Sequence, residues 1–134
     1  MKKVMVFGTF DIFHKGHQSF LKQARGYGTY LIVVIARDRT VINLKGKMAK
    51  NSEKMRAKII MSSGLADKVI LGQLRNKYNI IKKYSPDVIC LGYDQFSFSE
   101  GLNNKLREFG LNKAKIVRLN AFCLDIYKSS KLAS

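Results

Sequence analysis

The chain has 134 residues, 46% of them hydrophobic, and its 25 lysines and arginines against nine acids give a formal net charge of +16. The length predicts a single domain over residues 1–134, and the hydrophobic share argues against a disordered chain. The longest apolar run, Tyr30–Ala36, is far shorter than the roughly 20 residues that cross a bilayer, and no secretory core follows the basic N-terminus. We expect a soluble, cytoplasmic protein whose charge attracts nucleotides, phosphorylated metabolites or nucleic acid.

The first half of the chain alternates between apolar runs and helical patterns. The predicted elements are a strand at 3–8, a helix at 15–28, a strand at 29–36, a polar irregular stretch at 37–50 and a helix at 51–64. Gly26 or Gly28 ends the first helix. Asn51 or Ser52 caps the second helix and Gly64 stops it.

The second half continues the alternation with shorter elements. They are a strand at 67–72, a helix at 76–85, a strand at 87–92, a helix at 97–110, a strand at 114–119 and the start of a last helix at 128–134. Ser97 and Glu100 have the spacing of a capping box. Because the strands are continuous apolar runs, we expect them to be buried on both faces, which predicts an α/β, doubly wound, five-stranded parallel sheet in a single domain.

One edge of such a sheet is the expected functional edge, because ligands of open α/β sheets bind outside the carboxyl ends of the strands. Five predicted loops lie at that edge: 8–16, 37–50, 72–76, 92–99 and 120–130. Both histidines of the chain fall in or next to the first loop.

The stretch FGTFDIFHKGH, residues 7–17, passes from a strand through a glycine into a helix. This succession is a recurring phosphate site, because a helix N-terminus offers N–H groups and partial positive charge to an anion. Gly8 and Gly16 let the backbone approach a ligand closely. His14 and His17 are three residues apart at the helix start, so both can project towards one ligand and donate to phosphoryl oxygens.

Two other interpretations of this stretch are weaker. In the first, the glycines form a tight turn and both histidines are exposed surface residues, but the H-x-G-H spacing after G-T-F-D argues against that coincidence. In the second, the histidines bind a metal. Zinc sites on helices usually use an i, i+4 pair with further ligands, no third histidine exists, and Cys90 and Cys123 lack motif spacing.

The stretch GTFDIFHKGH resembles the signature of the HxGH nucleotidyltransferases, the cytidylyltransferase-like superfamily, and the resemblance covers nearly the whole chain. ARDRTVINLKGK resembles the exit of the family's second strand, LADKVILG its third-strand region, and YKSSKL its C-terminal serine/threonine motif. NSEKMR resembles a helix start of the family in which an acid and an arginine stand three apart, as Glu53 and Arg56 do. The resemblance implies a Rossmann-like fold.

The fourth-strand exit is the most discriminating detail. LGYDQ, Leu91–Gln95, is most similar to the small FAD synthases of archaeal type. Glycerol-3-phosphate cytidylyltransferases more often carry a second aspartate and a tryptophan there, and this chain has no tryptophan.

The resemblance implies transfer of a nucleoside monophosphate from a nucleoside triphosphate to a phosphate acceptor, with release of pyrophosphate. The most similar group implies ATP and FMN, giving FAD. A CTP-dependent enzyme acting on glycerol-3-phosphate or a related phosphoalcohol is the alternative. The resemblance also implies Mg²⁺ as cofactor and a homodimer, with no membrane partner. A nucleic-acid-binding module is the alternative of another class, suggested by the charge, although the basic residues form no single stripe.

Roles for individual residues follow from the same resemblance. His14 and His17 are expected to hold the triphosphate and stabilise charge at the reacting phosphorus, and Lys45 or Lys47 to reach the phosphates from the loop after the second strand. Asp11 is expected to orient a partner or to help hold Mg²⁺. The expected nucleotide-binding residues are Gly8, Thr9, Phe10, Asp11, Gly16, Arg56, Gly92, Asp94, Ser129, Ser130 and Lys131.

Several of these residues also have a plain structural interpretation. Lys45 and Lys47 can be solvated loop lysines, and Arg56 an exposed helix residue. Asp94 can be a turn aspartate, and the serine pair before Lys131 a helix cap.

Overall fold

The five predicted strands form one sheet in the structure, a computed structural model that describes residues 1–72, 78–91, 101–111 and 114–119. The strands are β1 (Lys3–Gly8), β2 (Tyr30–Ile35), β3 (Lys68–Leu71), β4 (Val88–Leu91) and β5 (Lys115–Arg118). All neighbouring pairs are parallel, and the order across the sheet is β3-β2-β1-β4-β5. The predicted five-stranded parallel α/β sheet is therefore confirmed.

Five helices connect or follow these strands within the described residues: α1 (Lys15–Arg25), α2 (Asp38–Lys45), α3 (Glu53–Ser62), α4 (Asn79–Tyr84) and α5 (Leu102–Glu108). Ser52, not Asn51, caps α3, because its hydroxyl accepts a hydrogen bond from the backbone N–H of Met55. The expected capping box at Ser97 and Glu100 and the expected last helix at 128–134 lie outside the described residues.

The sheet is covered on both faces, which explains why its strands are continuously apolar. Along β1, Val4 and Val6 pack into one core cluster with residues of α1 and α3, whereas Met5 between them packs into the other cluster with residues of α4 and α5. Successive residues of β2 divide in the same way. Each central strand thus buries both of its faces, and the doubly wound arrangement is confirmed.

The prediction of an irregular stretch at 37–50 is wrong in its first part, because α2 occupies Asp38–Lys45. The helix is short and ends at Gly46, whose φ of 74° lies in the left-handed region. Only Val41 among its described side chains is buried, so the helix packs little apolar surface against the sheet.

The strand order of the sheet reverses between β1 and β4. The strands β2 and β3 are added on one side of β1, whereas β4 and β5 are added on the other side, parallel to it. In open α/β sheets, a ligand crevice forms at such a switch point, outside the carboxyl ends of the two strands. The turn after Gly8 borders this crevice. No helix among the described residues is long and apolar enough to traverse a membrane.

Candidate functional site

The turn after β1 is built around Phe10. Its φ of 52° lies in the left-handed region, where a residue with a side chain costs about 1–2 kcal/mol. Phe10 is only 6% exposed, and its ring makes an edge-to-face contact with the His17 ring, with 5.2 Å between the centroids. A Cβ on Gly8 would lie 2.6 Å from the Phe10 ring, so glycine is required there. The strain is kept because the surrounding packing fixes the turn.

His14 and His17 cap the N-terminus of α1. His14 Nδ1 accepts hydrogen bonds from the backbone N–H groups of Gly16 at 3.0 Å and His17 at 3.4 Å, and His17 Nδ1 accepts from the backbone N–H of His14 at 3.4 Å. This is a capping box made of two imidazoles, with the rings stacked at 3.8 Å between centroids. Both side chains are partly buried, so the interpretation as exposed surface histidines is wrong.

The capping bonds indicate which nitrogen of each ring carries the proton. An Nδ1 that accepts a backbone N–H has no proton of its own, so the neutral ring carries its proton on Nε2. Partial burial lowers the pKa of His14, which favours the neutral ring at physiological pH. In this tautomer the neutral imidazole presents Nε2–H as its donor, a type of group that stabilises charge on a phosphoryl oxygen.

Asp11 fastens this turn to the beginning of α3. Its two carboxylate oxygens accept the backbone N–H groups of Lys50 at 2.8 Å and Asn51 at 2.9 Å. The Asn51 side chain returns a hydrogen bond to the backbone carbonyl of Asp11 at 2.8 Å. We call the connection between β1 and α1, residues 9–14, together with His17 the histidine turn. The three bonds fix the position of residue 50 relative to this turn.

Arg56 lies inside the protein beneath the functional edge, with no exposed surface. Its Nη1 donates to the carbonyl oxygens of Thr9 at 2.9 Å and Ala36 at 2.8 Å. Its Nε donates to the carbonyl of Asn51 at 3.1 Å, and its Nη2 to Asp38 Oδ1 at 2.7 Å. The interpretation as an exposed helix residue is therefore wrong. The guanidinium joins the exits of β1 and β2 to α3, and in this arrangement its donors serve the protein rather than a nucleotide.

A second set of charges lies beside Arg56. Glu53 Oε1 accepts the backbone N–H of Asp38 at 2.8 Å, and Glu53 Oε2 lies 3.2 Å from Arg37 Nη1. Arg37 Nε donates to the carbonyl of Gly72 at 2.8 Å, at the exit of β3. The exits of β2 and β3 and the start of α3 are therefore connected by one chain of charge-assisted hydrogen bonds.

The pair of Asp38 and Arg56 makes the stability of the fold depend on acid pH. The hydrogen bond from Arg56 holds the pKa of Asp38 below its ordinary value of 3.8, and the backbone N–H of Glu53 lowers it further, against partial burial, which raises it. Because the folded pKa is the lower one, the pair stabilises the fold above about pH 4 and loses this contribution as the pH falls below that value.

We expect Asp38→Asn to weaken the decrease in the free energy of unfolding at acid pH, the acid limb of its pH dependence, measured by urea denaturation between pH 2 and 6. An unchanged acid limb would contradict the pairing.

Two points of the backbone in this region are anchored: Asp38 is bound by Glu53, and residues 50–51 are bound by Asp11. The lysines expected to reach the phosphates lie between them. Lys45 is the last residue of α2, and Lys47 is exposed in the turn that follows Gly46. The choice between the two lysines stays open, and so does the interpretation of either as a solvated loop residue. The remaining expected nucleotide contacts lie outside the described residues: Gly92, Asp94, Ser129, Ser130 and Lys131.

A protein-built metal cage is not found among the described residues, where no three His, Cys, Asp or Glu side chains come together. Asp11, the expected magnesium ligand, has both oxygens engaged by backbone N–H groups. Magnesium usually binds proteins through one or two carboxylates together with substrate phosphates and water. The described residues therefore do not by themselves fit a resident Mg²⁺ ion, and the role of Asp11 as metal ligand stays a prediction.

Sequence reasoning missed the structural roles of Arg37, Asp38 and Glu53. The sequence pattern predicts an irregular stretch around the first two, and Glu53 stands out only by its spacing from Arg56. One signal was present, because Asp38 and Gly46 bracket a helix-length segment with an acid at its start and a glycine after its end.

The amino-acid sequence of the chain matches known proteins over most of its length. Residues 5–133 match the sequence profile of the family described as cytidylyltransferase-like. The chain is 40% identical over 121 residues to a FAD synthase of Ferroglobus placidus, covering 90% of this chain and 78% of that protein. It is 39% identical over 132 residues to a FAD synthase of Pyrococcus horikoshii, covering 97% and 88% of the two chains.

The fold also matches a solved structure closely. The crystal structure described as a lipopolysaccharide core biosynthesis protein from Thermoplasma volcanium superposes with a TM-score of 0.82 at 38% identity, covering 90% of this chain and 97% of that one.

Proposed function

The chain belongs to the cytidylyltransferase-like family, and from this premise we propose that it synthesises FAD by transferring AMP from ATP to FMN. The chain is a nucleotidyltransferase. The similarity to archaeal FAD synthases over most of both chains carries the choice of ATP and FMN. The histidine turn at the switch point of the sheet supplies the matching geometry.

The reaction needs little covalent chemistry from the protein. A phosphate oxygen of FMN attacks the α-phosphorus of ATP, the new P–O–P bond forms, and the bond to the departing pyrophosphate breaks. The attacking group is already an oxyanion, so no general base is needed. Because both reactants and the leaving group are anions, positioning and charge stabilisation are what the site must provide.

Each part of the described site has a place in this scheme. We assign the Nε2–H groups of His14 and His17 to the phosphoryl oxygens around the reacting phosphorus, with the N-terminus of α1 adding its partial positive charge. Backbone N–H groups near Thr9 and Phe10 contact the nucleotide. Lys45 or Lys47 neutralises charge on the β- and γ-phosphates. The predicted residues outside the described ranges complete the nucleotide site in this proposal.

We further propose that Mg²⁺ accompanies the triphosphate, where it neutralises phosphate charge, and the steps assigned to the chain above do not depend on it. We also propose that the chain forms a single domain over residues 1–134 and pairs as a homodimer; the homodimer rests on the family resemblance alone. The cytoplasmic location stays a prediction.

The proposal is tested by a pyrophosphate-release screen in which the full chain, with Mg²⁺, receives ATP or CTP together with FMN, glycerol-3-phosphate or phosphocholine. We expect release above background only with ATP and FMN. FMN fluorescence should also change when the protein is added, with riboflavin as the control that lacks the phosphate.

Two other outcomes favour the alternatives. Release with CTP and glycerol-3-phosphate, and none with FMN, would replace the FAD synthase by a cytidylyltransferase. Absence of release from every pair, with salt-sensitive retention of random-sequence RNA, would favour a nucleic-acid-binding module instead.

A further inference from the structure

Helix α2 begins without a side-chain cap of its own. Its N-cap residue is Arg37, which forms no side-chain capping bond. The N–H of Asp38, the first residue of the helix, is bound instead by Glu53 Oε1 at 2.8 Å. Glu53 is the first residue of α3, so a carboxylate at the start of α3 caps the start of the preceding helix, α2.

The second oxygen of Glu53 makes this cap rigid. It pairs with Arg37, which is itself fixed by its hydrogen bond to the carbonyl of Gly72. The Glu53 side chain is 19% exposed and that of Arg37 is 39% exposed, so water is excluded mainly from the carboxylate end of this ion pair. The start of α2 is thus held from α3 and from the exit of β3.

The other end of the same segment is held by Asp11 through the backbone N–H groups of Lys50 and Asn51. We call residues 38–50 the lysine segment, because it carries Lys45 and Lys47. Within it Val41 is buried, whereas the part after α2 is solvent-facing, with Lys47 exposed and Met48 73% exposed. The segment is therefore held at both ends and at Val41, so the backbone positions of its two lysines depend on these anchors.

We propose that Glu53 is a positioning residue that sets the place of Lys45 and Lys47 through its cap on α2. The inference rests on the proposed function for its catalytic part. Glu53 does not touch the substrates in this account and acts only through the lysine segment. A displacement of about 1 Å at a reacting group can cost about 100-fold in rate, so loss of the cap is expected to lower kcat/KM by about 10- to 100-fold.

Hydrogen exchange tests the structural half of the inference without requiring activity. Amide exchange over residues 38–45 is measured in the full chain for the wild type, Glu53→Ala, Glu53→Gln and Glu108→Gln. We expect at least about tenfold faster exchange of these amides in Glu53→Ala, because a lost N-cap frees the first turn. Glu53→Gln keeps an acceptor for Asp38 and should be intermediate. Glu108→Gln, which removes an exposed pair with Lys105, should match the wild type.

A double-mutant cycle tests the catalytic half. Glu53→Ala is made in the wild type and in a Lys45→Ala/Lys47→Ala background, and kcat/KM is measured for each. If Glu53 acts through the lysines, its cost should fall below about threefold in the background that lacks them. A structural role alone would keep its full cost in both backgrounds.

The outcomes separate the two proposals. Unchanged exchange over α2 in Glu53→Ala overturns the inference, and so does an undiminished cost in the lysine-free background. Should the wild type release no pyrophosphate from any substrate pair, the proposed function fails, and the exchange rates still decide whether Glu53 holds the lysine segment.

Discussion

Replacing His14 by asparagine should lower kcat about 100- to 1000-fold while leaving the free energy of unfolding within about 1 kcal/mol of the wild type. Asparagine is among the best N-cap residues, so its side-chain oxygen can accept the N–H bonds that His14 Nδ1 accepts now. What it cannot supply is the Nε2–H donor. His17→Gln is the corresponding change at the third helical position, where glutamine is the usual capping-box partner.

The alanine variants provide the comparison. His14→Ala removes the cap and the donor together, so it should lose the same rate factor and also about 1 kcal/mol of stability. Steady-state kinetics and urea denaturation on His14→Asn, His14→Ala and His17→Gln separate the two roles. If asparagine restores both rate and stability, the imidazole serves only as a cap and the catalytic assignment is wrong.

Replacing Arg56 by methionine should destabilise the fold by about 3–5 kcal/mol, because it removes a fully buried, charged hydrogen-bond donor. Methionine fills a similar volume but leaves the carbonyl groups of Thr9, Ala36 and Asn51 without their buried donor. Asp38 also loses its partner, although its side chain is 36% exposed and water can solvate the charge in part. Denaturant unfolding at pH 7 measures the loss.

Two variants make that result specific. Arg56→Lys keeps the charge but cannot reproduce the fork of donors, so its loss should be intermediate. Lys105→Met removes one partner of an exposed ion pair and should cost no more than about 1 kcal/mol. A loss for Arg56→Met as small as that of Lys105→Met would contradict the role of the buried guanidinium.

The sequence could predict where the candidate site lies in the fold, because the signals for the sheet and for the turn after β1 are local. The continuous apolar strands determine a parallel sheet, and the glycine and histidine pattern after β1 places the turn at its carboxyl edge. The same pattern cannot show that each Nδ1 is used as a cap. That depends on ring orientation at the helix start, which the fold fixes and the residue spacing leaves open.

The supporting interactions could not be predicted, because they join residues that are distant in sequence. Arg56 is held in the interior by hydrogen bonds to the backbone carbonyl groups of Thr9 and Ala36. Every residue has a backbone carbonyl, so the sequence does not indicate which ones accept these bonds. Helix α2 was missed for a related reason. Its cap comes from Glu53, 15 positions after Asp38, so no capping residue stands before the helix.

Product analysis with ATP and FMN decides whether this chain synthesises FAD. The full chain is incubated with both substrates and Mg²⁺, and FAD is measured by chromatography alongside released pyrophosphate. We expect FAD and pyrophosphate in a 1:1 ratio by the stoichiometry of AMP transfer, with both reduced about 100-fold or more in His14→Asn. No FAD from the wild type, together with a CDP-linked product from CTP and a phosphoalcohol, would contradict it.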